Sequence, residues 1–173
     1  MRNRKLWLIL TLAAVLAVAG MIFFFSSQMG EDSGALSDGI VLPVLRALHP
    51  GFDDLSPAEQ ARLMAPVSLA IRKLAHFTEF ALLGFFLMVH LRLRRAEGPV
   101  RRLALLAFGA AALYACSDEI HQIFVADRGP ALLDVGIDAA GALCGVLAAA
   151  AAAARRRRAA CGNGKDMGAI SKQ

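Results

Sequence analysis

Charge is what this chain has least of. Asp, Glu, Lys and Arg make up 19% of its 173 residues, against ~25% in an ordinary soluble domain, and most sit in a few short blocks. With 57% hydrophobic residues and a mean hydropathy of +0.54, the chain lies far outside the range of a soluble domain. Cysteine is scarce too: Cys116 and Cys144 fall in apolar segments and Cys161 in a basic tail. So odd and scattered a set excludes a disulfide framework and a CxxC metal site, leaving small apolar fillers and one exposed thiol. No internal repeat stands out. The arginine blocks are short, lack interleaved aromatics and abut apolar runs, so no nucleic-acid partner is expected.

What the chain does have is apolar length. Residues 6–25 carry no charge, and at ~1.5 Å per residue they span a hydrocarbon core of roughly 30 Å. A secretory signal peptide competes for this stretch, with Met1-Arg2-Asn3-Arg4-Lys5 as its basic start and Ala17-Val18-Ala19 as a cleavage pattern. The apolar run continues through Met21-Ile22-Phe23-Phe24-Phe25, longer than such peptides need, which favours an uncleaved anchor. Further apolar segments cover 71–91, 103–125 and 130–154, the last stopped by Arg155-Arg156-Arg157-Arg158. The sequence therefore predicts an all-α, polytopic membrane protein: a four-helix bundle in one domain over residues 1–158, followed by a disordered cytoplasmic tail at 159–173. Residues 26–70 form the long outer loop. Ser56-Pro57-Ala58-Glu59 has the form of a capping box with proline at the first helical position, so a short helix is expected from Pro57. The glycines and prolines elsewhere in the loop read as punctuation.

Orientation follows the basic residues, which stay cytoplasmic. Arg2, Arg4, Lys5, Arg92, Arg94, Arg95, Arg101, Arg102, Arg155 to Arg158, Lys165 and Lys172 are fourteen of the nineteen Lys and Arg residues. They all fall on one side if both termini are cytoplasmic. The net charge of +5 thus has a topological origin.

With that topology, the polar residues of four segments gather in the outer leaflet. Ser26, Ser27 and Gln28 end the first span; Lys73, His76 and Glu79 share a stripe of the second. Asp118, His121 and Gln122 lie on one face of the third, with Glu119 turned about 100° away. Asp134 and Asp138 sit one turn apart on the fourth, on a stripe that continues to the Gly141-x-x-x-Gly145 pattern of close helix contact. Both aspartates are therefore expected to face the bundle. A charge inside a span costs at least ~2.5–3.5 kcal/mol, and such residues usually pair or line a polar cavity. Simple pairing would join Glu79 to Lys73 and an aspartate of the fourth span to Arg128. The acids outnumber the bases, however, and the excess points to a site open to solvent or ligand.

Arg72-Lys73-Leu74-Ala75-His76-Phe77-Thr78-Glu79-Phe80 and Ser117-Asp118-Glu119-Ile120-His121-Gln122 resemble the K-x-x-H-F-x-E-[YF] and S-D-E-x-H-Q blocks of the VanZ-like family. Phe25-Ser26-Ser27-Gln28, and Arg128 followed by Asp134 and Asp138, resemble its first-span and closing motifs, so the resemblance covers roughly residues 1–150. It departs at Phe80, where Tyr is common, and at Gly129-Pro130-Ala131, where a small hydroxyl residue often follows the glycine. The resemblance implies a multi-pass protein of the bacterial cytoplasmic membrane, in a family whose founding member is associated with teicoplanin resistance. The family's motif residues map onto Lys73, His76, Glu79, Asp118, Glu119, His121, Gln122, Arg128, Asp134 and Asp138.

Three functions compete. One is a cell-envelope protein whose outer site binds or modulates a lipid headgroup, a cell-wall precursor or a glycopeptide; Lys73 and Arg128 would take phosphate or carboxylate. Its partner is a membrane lipid or lipid-linked precursor, and the sequence commits to no oligomeric state. Another is an intramembrane enzyme on such a lipid, with His76, Glu79, Asp118 and His121 as candidate catalytic groups. No cofactor is called for, although two histidines and carboxylates on facing helices are compatible with a divalent metal in a 2-His-carboxylate site. The third is a proton-coupled carrier, which the lack of polar residues in the inner half opposes.

Overall fold

A computed structural model describes residues 2–27, 30–125 and 132–170, with backbone alone at 2, 30–38 and 156–170. The described chain is helical, with no strands. Its elements are α1 (Arg2–Ser26), α2 (Gly30–Leu48), α3 (Pro57–Arg94), α4 (Val100–Gln122) and α5 (Leu132–Ile170), with a single 3-10 turn at Phe52–Asp54. Helices α1, α3, α4 and α5 are each long and apolar enough to cross a membrane.

Two features of the outer loop differ from the sequence expectation. The helix begun at Pro57 is not short: it runs without interruption into the second span as α3, 38 residues long, or ~57 Å. Pro66 lies inside it and removes a bond to the carbonyl of Arg62. That carbonyl sits before the apolar stretch, where water can satisfy it, and nothing between Pro66 and Ile71 stops the helix. The Ser56 N–H donates to Glu59 Oε2 at 2.9 Å, completing the expected box. The second difference is α2, helical from Gly30 despite Gly34, Gly39 and Pro43. Glycine costs a helix only ~1 kcal/mol each, and packing compensates: α2 contacts α3, and Val41 and Phe52 are fully buried. The α5 backbone is helical to Ile170. Alanine and arginine are strong helix formers and favour helix through residue 160.

The spans pack as an antiparallel bundle whose surface is apolar. Leu6, Trp7, Ile9, Leu12, Leu16 and Phe24 of α1 are exposed, the inverse of a soluble fold and suited to lipid. Inside, α4 buries a stripe at Leu103, Ala107, Ala111, Ala115 and Asp118. Small residues there let the helices approach. Val18, Ile22, Phe80, Leu83, Ala111, Ala115 and Ala142 form one core cluster; Met88, Leu103, Ala107, Val146 and Ala149 form another, toward the end where α3 and α5 carry their arginines.

The closest crossing is α3 on α5. A Cβ built at Gly141 would strike the Phe77 carbonyl, one at Gly145 the Ala81 carbonyl, and one at Gly84 the Ala142 carbonyl. The backbones touch there because side chains are missing, as the G-x-x-x-G pattern predicts. At the basic end, the Arg4 guanidinium donates to Leu93 O (3.0 Å) and Arg94 O (3.2 Å), capping the orphan carbonyls of α3. The Tyr114 hydroxyl donates to Ala19 O at 2.7 Å and ties α4 to α1.

Candidate functional site

The opposite end of the bundle is where the polar side chains meet. Helix α1 supplies Ser26 at its last turn, α3 supplies Lys73, His76 and Glu79 from successive turns, α4 its last two turns, and α5 its first two. Antiparallel packing brings the ends of α1, α4 and α5 to one level with the middle of α3.

Asp118 is the hub on α4. Its Oδ2 accepts from the Ser26 hydroxyl at 2.7 Å and from the Gln122 amide at 3.0 Å. Gln122 also reaches Ser26 Oγ at 3.3 Å. Ser26, Asp118 and Gln122 are all buried, so each of these bonds is formed away from water, where an unmade one would cost most. Across from them, Asp138 of α5 is only 3% exposed. One ligand-capable atom from each of His76, Asp118 and Asp138 lies within 4.8 Å of the others, on three different helices. Asp138 is also within electrostatic reach of Asp134, Glu119 and Glu79.

Lys73 forms an ion pair with Asp134, not with Glu79 as simple pairing along α3 would suggest. Spacing along one helix does not determine which neighbour lies opposite, and the rotation of α5 puts Asp134 there. Glu79 Oε2 and Asp138 Oδ1 are buried and have no hydrogen-bond partner among the described residues. Buried polar atoms are nearly always satisfied, so these two unmet acceptors stand out.

Two residues sit differently from the sequence reading. Glu119, expected to turn away, is buried. The inward stripe of α4 runs Ala115, Asp118, Glu119, Gln122, because α4 ends between α1 on one side and α5 on the other. His121 is displaced instead toward α1. Its ring stacks on Phe23 with centroids 4.7 Å apart, and Nε2 lies 3.1 Å from Ser27 Oγ. The 2-His-carboxylate arrangement is therefore not what forms: the cluster contains one histidine and two aspartates. Arg128, Gln28 and Asp127 lie outside the described residues. Ser26 and Ser27 are the site members that residue type alone undersold; their signal was the placement of paired hydroxyls at the end of an otherwise apolar span. Far from this site, Thr11 Oγ1 lies 3.0 Å from His90 Nδ1 near the basic end.

A bundle of four apolar helices with buried acids and a histidine gathered at one end defines an integral membrane protein with an internal polar site. The model of the VanZ/LLP1 family matches residues 10–153, a range that reaches into all four spans and holds every candidate site residue. The chain belongs to the VanZ/LLP1 family. No curated protein and no solved structure matches it.

Proposed function

We propose that this VanZ-type protein resides in the bacterial cytoplasmic membrane with both termini cytoplasmic. Its outward polar end binds, and thereby modulates, a lipid headgroup, a lipid-linked cell-wall precursor or a glycopeptide antibiotic. The orientation rests on the collection of basic residues at the end opposite the site. The observation that carries the ligand reading is the pair of buried, unpartnered acceptors, Glu79 Oε2 and Asp138 Oδ1. They favour a ligand that brings donors, such as an amine or sugar hydroxyls. Lys73 is engaged by Asp134, so the role of receiving a phosphate or carboxylate passes to Arg128. Apolar side chains at the same end, including Phe124 and Leu132, suit an acyl chain.

A second reading is turnover of such a lipid, favoured by the closeness of His76 to Asp118 and Asp138, a geometry fit for general acid–base chemistry. Profiles of envelope lipids and of glycopeptide susceptibility, taken in deletion and Asp118→Asn strains, separate the two. Binding alone predicts changed susceptibility with unchanged lipid structures. Turnover predicts a modified lipid species that disappears in both strains. Wild-type profiles in both strains would contradict either reading.

A further inference from the structure

We infer that His76, Asp118 and Asp138 hold one divalent transition cation, of the Zn2+ or Mn2+ class, at the polar end of the bundle. The inference deepens the reading of that end as a ligand site and rests on it.

Helices α3, α4 and α5 each contribute one ligand, with their ligand atoms within 4.8 Å of one another. A cation bound at ~2.0–2.2 Å holds its ligands roughly 3–3.5 Å apart, so side-chain adjustments of about an ångström close the site. The independent observation is Asp138 itself: 3% exposed, with Oδ1 buried and unpartnered. A carboxylate oxygen so placed has given up water and gained nothing in return unless a cation or donor meets it. Asp118 is already oriented. Its Oδ2 receives Ser26 and Gln122, and a carboxylate has about four acceptor positions, so ligation does not compete with these bonds. Outer-shell bonds of this kind are what hold metal-ligating carboxylates in place.

The donor set selects the metal. One imidazole nitrogen with two carboxylates suits Zn2+ or Mn2+; Ca2+ and Mg2+ prefer oxygen throughout, and softer ions want thiolate. Charge points the same way. Glu79, Glu119 and Asp134 add their fields at Asp138, while Lys73 is committed to Asp134. Two positive charges would offset much of this acid excess. His121, turned to Phe23 and Ser27, takes no part.

The test is metal titration of the full chain, purified in detergent on a histidine-free affinity tag and stripped with chelator, without added lipid. Elemental analysis after gel filtration should find one equivalent of Zn2+ or Mn2+ per chain. His76→Gln and Asp138→Asn should each weaken binding ~10-fold or more, while His90→Gln, altering the histidine beside Thr11, should leave it unchanged. Circular dichroism and elution volume check folding; if Asp138→Asn fails to fold, His76→Gln carries the comparison. Failure of the wild type to take up stoichiometric metal overturns the inference, as does equal affinity in His76→Gln and His90→Gln. If the wild type takes up no metal yet still retains envelope lipid, only the cation assignment falls and the ligand reading stands.

Discussion

Substituting alanine at Gly145 tests the packing that brings the site together. A Cβ there would lie 2.7 Å from the Ala81 carbonyl carbon and 2.9 Å from the Phe85 nitrogen, with the Ala81 oxygen nearer still. Non-bonded carbon contacts settle at ~3.5–4.0 Å, so α5 must retreat from α3 by roughly 1 Å. The obstacles are backbone atoms, which cannot rotate aside. Overpacking of this kind costs ~1–3 kcal/mol, partly offset by the ~1 kcal/mol that alanine gains over glycine in a helix. Gly20 and Gly109 provide the contrast, since a Cβ at either meets nothing within 4 Å; Gly109→Ala should be neutral or stabilising. The difference between Gly145→Ala and Gly109→Ala is thus about 1–3 kcal/mol, or roughly 3–10 °C in Tm for a chain of this size. Differential scanning fluorimetry of the purified variants in one detergent reads it. Gly141→Ala should behave like Gly145→Ala and reach the site more directly, because its clash is with Phe77, the residue after His76. Equal melting temperatures for Gly145→Ala and Gly109→Ala would refute the close α3–α5 crossing.

Other consequences are as direct. The Lys73–Asp134 pair is partly exposed, at 27% and 39%, so a double-mutant cycle with Lys73→Ala and Asp134→Ala should show a coupling of about 1 kcal/mol; strict additivity would mean that the pair does not form. Ser26→Ala removes a buried donor to Asp118 and should lower stability by ~1–3 kcal/mol, whereas an unaltered melt would place Asp118 elsewhere. Orientation is checked in a background with Cys116, Cys144 and Cys161 changed to serine. A membrane-impermeant maleimide should label Arg62→Cys in intact cells and spare Glu97→Cys, and the reverse pattern would invert the topology.

The spans were legible because each is a local property of the chain. Twenty uncharged residues announce a crossing wherever they occur, and the arginine blocks group the ends. The G-x-x-x-G pattern foretold a close contact, although not that α3 would be its partner. What stayed hidden depends on how helices rotate against one another. Lys73 could be assigned to Glu79 on spacing alone, and only the α3–α5 crossing turns Asp134 toward it. Glu119 looked outward on a face drawn through Asp118, His121 and Gln122, yet α4 ends between two neighbours and buries Asp118, Glu119 and Gln122 together. Helix α2 was missed because glycine and proline speak locally, while Val41 is buried by packing from outside the segment. The candidate residues could thus be named from the sequence, but their groupings had to come from the fold.

The central claim is that side chains from four helices form one ligand site. The most direct measurement is native mass spectrometry of the protein extracted from its own membrane, identifying what co-purifies. One bound envelope lipid or lipid-linked precursor is expected on the wild type and on His90→Gln, and its loss from Asp118→Asn and from Asp138→Asn. The same adducts at the same occupancy on all four proteins would contradict that claim.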